Sequence, residues 1–301
     1  MRKNHKIKFK KTSIQMLKKT TKRLIISYLL ILILAQLFSG CMTFRLSKKE
    51  IDDEFKASIY KPTELQIKVL GREINYAEIG NDTLPVVFFV HGSPGSWSAF
   101  SGFMKDESLL KKVKMVSVDR AGFGFSELGK GEKSLQKQAA YLKPIVEKYR
   151  QKGKKLILVG HSLGGPMLAR MAIDYPELID NLIFVAPSID PTLEPTRWYR
   201  YILDSIFIRY MIPRSFRASN LEILYLKEDL EAMLPYWKNI KQPTIVIQGK
   251  KDVLVHPDNA KFAQKMLVNA AIVQIWLKDD MNHFVPWSNP ELIKEAILKS
   301  L

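Results

Sequence analysis

Short apolar runs rich in branched residues recur along the chain: Val86–Val90, Met115–Val118, Leu156–Val159, Leu182–Val185 and the stretch Pro243–Gln248. Runs of this length between glycine-rich or polar turns predict strands buried on both faces. Ile272–Leu277 predicts one more strand, and Glu64–Val69 with Arg72–Ile79 flank Gly71 as a hairpin. Between the runs the period becomes helical. Leu135–Arg150 is amphipathic with a kink expected at Pro144, and Pro166–Tyr175 sets Met167, Leu168, Met171 and Ala172 on one face. Pro290–Leu298 predicts a closing helix. Strands alternating with helices predict crossover connections and a mostly parallel sheet with helices on both faces.

One long stretch interrupts the alternation. Residues 188–241 separate two predicted strands and are too many for a structureless loop, so they are expected to form a helical cap insertion. Trp198, Tyr199, Tyr201, Ile202, Ile206, Phe207, Tyr210 and Met211 recur at roughly helical spacing, with Arg197, Arg200 and Arg209 between them. Leu221–Trp237 is expected to be helical as well. The main expectation is that these aromatics pack the cap onto the core; an apolar acyl pocket or a face near lipid headgroups is the functional alternative.

Composition changes the picture only at the N-terminus. The 301 residues, 47% hydrophobic, suffice for one large core, and the net charge of +17 raises nucleic acid or an anionic membrane as partners. Ten of the 47 basic residues and no acidic ones lie in residues 1–40, which leaves 37 basic against 30 acidic residues and a net of +7 for the rest. Nucleic-acid binding is therefore not expected. Residues 1–23 are basic and polar, Leu24–Phe38 is almost wholly apolar, and Ser39, Gly40 and Cys41 follow. That order describes an export signal, and Cys41 is the chain's single cysteine. Leu37–Cys41 resembles the lipobox of bacterial lipoproteins, although Phe38 stands where leucine is usual and the basic region is long. The resemblance implies a signal peptide over residues 1–40, lipidation at Cys41 and a chain tethered to a membrane outside the cytoplasm. The alternative is an uncleaved anchor, for which Leu24–Phe38 is short, since a span takes about 20 apolar residues. Residues 41–61, charged from Ser47 to Lys61, are expected to be a linker, with the folded domain over residues 62–301.

The candidate chemistry centres on Lys155–Gly165, which reads K-L-I-L-V-G-H-S-L-G-G. A strand, then G-x-S-x-G, then a helix is the context of a nucleophile elbow. Ser162 would sit at a strained turn, Gly160 and Gly164 would relieve collisions, and the N–H of Leu163 would point at an oxyanion. The loop His91-Gly92-Ser93-Pro94-Gly95 follows a buried strand and can aim backbone N–H groups at a ligand, with Ser93 as the second expected donor. His91, Asp119, Ser162, Asp252 and His283 all follow predicted strands, so they collect on one sheet edge.

From about Leu65 onward the chain resembles the α/β-hydrolase superfamily. The matching pieces, in the family's order, are His91–Gly95, Asp119-Arg120-Ala121-Gly122-Phe123-Gly124-Phe125-Ser126, Gly160–Gly165, Gly249-Lys250-Lys251-Asp252 and Asn282-His283-Phe284. The resemblance implies the α/β-hydrolase fold and a triad of Ser162 as nucleophile, Asp252 as acid and His283 as base. A metal held by Asp279, Asp280 and His283 is not expected, because no other ligand cluster supports it, and no cofactor is expected. It implies a serine hydrolase cleaving a small-molecule or lipid carboxylic ester through an acyl-enzyme. Alternatives are an exopeptidase or amidase like the proline iminopeptidases, C–C hydrolysis, haloperoxidase-like chemistry, or a binding protein that kept the fold. Epoxide hydrolases and dehalogenases of this fold use an aspartate nucleophile, against which Ser162 argues. Asp279 and Asp280 could replace Asp252 but read as a solvated turn. His161 is expected to be structural, His91 to shape the oxyanion loop, Asp119 to organise its own loop, and His256 to lie at the surface.

Overall fold

The computed structural model describes residues 2–39, 42–150, 153–195 and 197–301. Among these, eight strands form one sheet: β1 (Thr63–Val69), β2 (Arg72–Ile79), β3 (Val86–Val90), β4 (Lys114–Val118), β5 (Leu156–His161), β6 (Asn181–Val185), β7 (Thr244–Gly249) and β8 (Val273–Lys278). Their order is β1-β2-β4-β3-β5-β6-β7-β8. The β1–β2 hairpin turns through Gly71 and joins β4 antiparallel; every later pairing is parallel. All positions of β3, β4, β5 and β7 are buried, which is why these strands read as predominantly apolar runs, with polar residues such as Lys114, His161 and Gln248 at or near their ends.

Alternate residues of each central strand feed different cores. Val86, Phe88 and Val90 pack with Leu158, Leu182 and the helices Leu135–Tyr149 and Gly164–Asp174. Val87 and Phe89 pack with Val159, Ile183 and the helix Pro290–Ser300 on the other face. The period of two thus survives inside strands that are apolar throughout. Pro144 lies inside the helix Leu135–Tyr149.

Two regions depart from expectation. The charged stretch after Ser47 is no simple linker: Lys48–Glu54 is a helix closed by a capping box between Ser47 and Glu50. Ile51 and the fully buried Phe55 belong to the second core, so this segment is part of the folded unit. In the cap, the helix Arg214–Met233 buries Leu226, Leu230 and Met233 against the first core, as amphipathic spacing requires. The aromatics before it do not pack inward. Trp198 and Phe207 are more than 70% exposed, and Tyr201, Ile202, Ile206 and Tyr210 are exposed too.

Residues 2–39 form one helix, Arg2–Ser39, which packs beside Arg209–Met211 of the cap; the Tyr28 hydroxyl donates to the Phe207 carbonyl at 3.0 Å. Its apolar residues, from Leu24 to Leu37, are mostly exposed. Among the described residues no helix is long and apolar enough to cross a membrane. Cys41, expected to be lipidated, lies outside the described residues.

Candidate active site

The β5 strand delivers Ser162 into a turn with φ of 54°, a left-handed conformation that strains a residue bearing a side chain. The turn is pinned by Ser162 N–H donating to the Val185 carbonyl at 2.9 Å, and by Gly165 N–H donating to the Ser162 carbonyl at 2.9 Å. It needs glycine on both sides. A Cβ at Gly160 would lie 2.6 Å from the Gly164 carbonyl oxygen, and one at Gly164 would lie 2.3 Å from that of Val90. Leu163 is buried and precedes the helix Gly164–Asp174, so its N–H belongs to a helix N-terminus.

His283 and Asp252 come together from the loops after β8 and β7. His283 Nδ1 donates to Asp252 Oδ2 at 2.7 Å, with the carboxylate fully buried. Gln248, at the end of β7, donates to the same oxygen at 3.1 Å, while Oδ1 accepts the N–H groups of Leu254 and Val255 at 2.9 and 2.8 Å. Burial pushes the Asp252 carboxyl up, but His283 and the two N–H donors outweigh it and leave the pKa below its ordinary value. The acid is thus held ionised. The tie to Nδ1 leaves Nε2 of His283 as the nitrogen that can take a proton.

Asp279 and Asp280 are not part of this cluster. They are exposed and pair with Lys250 and Lys251, each at 2.7 Å. His256 is at the surface beside Asp258. His161 is buried and structural: its Nε2 donates to the His283 carbonyl at 2.9 Å, and its ring packs against Trp287. Burial and the nearby His283 depress its pKa to about 3, which keeps it neutral. Burial and Arg120 depress the pKa of His91 strongly as well. His91 Nδ1 donates to the Gly92 carbonyl at 2.6 Å and its Nε2 accepts the Arg120 N–H at 3.0 Å, which shapes the loop carrying Ser93. Asp119 organises its own neighbourhood. It accepts from the N–H groups of Trp97 and Phe125 and from Asn75, and burial raises its pKa to about 6.

Arg120 connects the Ser93 loop to the cap, a role no local pattern announces. Its Nε and Nη2 donate to the carbonyls of His91 and Gly92, each at 2.9 Å. The same guanidinium grips Glu222 of the cap helix at 2.6 and 2.9 Å, and Gln138 at 3.0 Å. Both charges are fully buried, 1% and 2% exposed. Gly92 abuts Ser162: a Cβ there would lie 2.9 Å from the Cβ of Ser162. Sequence reading missed Glu222, Gln248 and the function of Arg120; Gln248 had a signal, a polar residue ending a buried apolar strand.

Ser93, Ser162 and His283 line one cavity of about 1000 Å³. Its walls are mainly apolar, from Met42, Phe44, Phe216, Leu254, Phe284 and Trp287. Two of these precede the region expected to fold. The Ser93 hydroxyl is buried and finds no hydrogen-bond partner among the described residues.

A strained serine, a histidine–carboxylate pair and an apolar pocket stand together at the carboxyl edge of a parallel sheet, and comparison with known proteins identifies the fold that carries them. Residues 85–207 match the family model described as the alpha/beta hydrolase fold. The chain is 23% identical over 286 residues to Epoxide hydrolase 1 of Caenorhabditis elegans, covering 78% of this chain and 69% of that protein. It is 23% identical over 279 residues to Proline iminopeptidase PfmaB of Pestalotiopsis fici, covering 78% and 98%. Among solved structures, a membrane phospholipase A described as a bacterial virulence factor superposes with a TM-score of 0.62 at 18% identity, covering 93% and 97%. The protein has the α/β-hydrolase fold, with the mostly parallel sheet and covering helices expected from the sequence.

Proposed function

We propose that this chain is a membrane-tethered serine hydrolase that cleaves carboxylic esters through an acyl-enzyme on Ser162. The observation that carries the reading is the His283–Asp252 hydrogen bond of 2.7 Å beside a serine held at φ 54° in the same cavity. Ser162 Oγ attacks the ester carbonyl carbon as its proton passes to His283 Nε2. The tetrahedral oxyanion accepts from the N–H groups of Ser93 and Leu163. The C–O bond then breaks, and the alcohol leaves with the proton from His283. Water, deprotonated by the same nitrogen, attacks the acyl-enzyme, releases the carboxylic acid and restores Ser162. Asp252 orients the ring and stabilises its charged form throughout.

The apolar walls support an acyl chain as the part of the substrate that enters. The likeness to a phospholipase and the serine in place of an aspartate favour ester chemistry over epoxide opening. The tether is proposed at Cys41 as a lipoprotein anchor, with an uncleaved signal helix as the alternative. The test is a fluorophosphonate probe with a panel of soluble esters and amino-acid amides. Labelling of the wild type, none of a folded Ser162→Ala variant, and ester turnover only with Ser162 present are expected. A folded Ser162→Ala protein with undiminished turnover would sink the assignment, and turnover of amides alone would favour an exopeptidase.

A further inference from the structure

The rim of the catalytic cavity is apolar and faces outward. Leu254, Phe284 and Trp287 line the cavity yet remain more than half exposed, and Val253 beside them is 92% exposed. These residues flank Asp252 and His283, so the acid and base loops each carry large apolar side chains into solvent. The cavity is also lined by Phe216, at the start of the cap helix, packed edge-on against Phe44 with ring centroids 5.5 Å apart. Earlier in the cap, Tyr210, Phe207 and Ile206 are exposed as well. Large apolar side chains exposed around a site mark a place where something docks.

The chain itself indicates what docks there. Residues 42–46 form part of the cavity wall and are fastened to it. Ser215 Oγ donates to the Met42 carbonyl, Ser96 Oγ donates to the Phe44 carbonyl at 2.7 Å, Arg45 Nη1 donates to the Gly124 carbonyl at 2.6 Å, and Leu46 N–H donates to Ser98 Oγ at 3.3 Å. The residue before Met42 is Cys41, and before it comes the apolar run Leu24–Phe38. Whether lipid is joined at Cys41 or the helix stays in place, hydrocarbon begins one or a few residues from the cavity wall. Three extended residues reach only about 10 Å. The helix in turn touches the cap at Phe207, one of these exposed residues.

We infer that this rim and the exposed face of the cap dock on the lipid bilayer, and that the substrates are acyl esters of membrane lipids entering the cavity without crossing water. The inference rests on the proposed hydrolase reading and adds to it the source of the substrate. An acyl chain drawn directly from the membrane stays in an apolar environment, so the cost of exposing its methylenes to water is not incurred.

The test uses the full-length protein reconstituted into phosphatidylcholine vesicles. Turnover of a fluorogenic long-chain ester in the bilayer is compared with that of water-soluble p-nitrophenyl butyrate. Val253→Ser with Phe207→Ser removes two exposed side chains that do not line the cavity. Bilayer-ester turnover should fall at least tenfold while butyrate turnover stays within twofold. Equal effects on both, or none, would overturn the inference. A wild type that hydrolyses butyrate but not the bilayer ester would overturn it and leave the hydrolase reading standing. A folded wild type that hydrolyses neither ester and takes no probe would count against the hydrolase reading instead. Docking is read without catalysis by phosphatidylcholine brominated on its acyl chains. Quenching should shrink in Trp198→Phe, whose parent residue is 73% exposed on the cap, and quenching that does not change refutes the docking. A second copy of the chain covering this face would appear as a variant-dependent change in the mass of the detergent-extracted protein, with bilayer turnover unaltered, and would refute it too.

Discussion

Removing the Glu222 carboxylate tests whether the cap holds the loop that approaches Ser162. Glu222→Ala leaves the Arg120 guanidinium buried, 1% exposed, with its charge uncompensated. Breaking one side of a buried ion pair costs about 3–5 kcal/mol. For a domain of this size each kcal/mol shifts Tm by about 2–4 °C, so the expected loss is roughly 10 °C. The effect should extend to catalysis because Arg120 also binds the carbonyls of His91 and Gly92, and Gly92 lies against Ser162. A guanidinium that shifts toward another acceptor moves that loop, and a small misplacement near reacting atoms lowers kcat by about tenfold or more. The assays are thermal unfolding by circular dichroism and butyrate-ester kinetics at a temperature where the variant is folded. A paired substitution, Arg120→Met with Glu222→Leu, separates the two effects. Replacing a buried pair by apolar residues recovers stability, but the two carbonyls lose their donors and kcat stays low. A Glu222→Ala protein that melts within about 2 °C of the parent, no more than one kcal/mol produces, with unchanged kcat would refute the reasoning.

Asp252→Asn should reduce ester kcat far more than Asp279→Asn or Asp280→Asn, since only Asp252 reaches His283; steady-state kinetics of the three purified variants decide it. Acid should destabilise the fold through its buried histidines. His161 has a folded pKa of about 3, below its ordinary value, so its contribution is complete above about pH 6.5 and is lost as pH falls toward 3, with His91 acting in the same direction. Asp119, raised to about 6, opposes this by gaining stability as pH drops from about 6 to 4. Urea midpoints measured across that range should fall for the wild type and fall less for His161→Gln; a wild-type midpoint that rises throughout would contradict the assignment. Intact mass of membrane-extracted protein should show a chain beginning at Cys41 with added acyl groups, and Cys41→Ser should leave an unprocessed precursor; an unmodified mass for residues 1–301 would mean an uncleaved anchor.

The sheet and the elbow were legible because each depends on local pattern. A strand buried on both faces is predominantly apolar, as β3 is throughout, and a serine between strand and helix needs glycine at Gly160 and Gly164 whatever the rest of the chain does. The Arg120–Glu222 pair spans 102 residues and leaves no local trace. The helix after Ser47 was hidden by its charge, although Ser47 and Glu50 have capping-box spacing and Ile51 and Phe55 stand four apart. The cap aromatics show the limit of periodicity. Helical spacing marks a shared face but does not say whether that face meets protein or something else, and Trp198 and Phe207 turned outward.

The fastening of residues 42–46 also determines where this chain tolerates proteolysis. A protease that freed the domain by cutting after Leu46 would remove Met42 and Phe44 from the cavity wall. A cut after Phe55 would in addition pull a fully buried phenylalanine out of the second core, a loss of about 3–5 kcal/mol. Shedding an intact enzyme therefore requires cleavage before Met42, at the base of the leader. Soluble forms made for assay face the same boundary: one starting at Thr63, where the sheet begins, would lack both the cavity wall and the Phe55 plug.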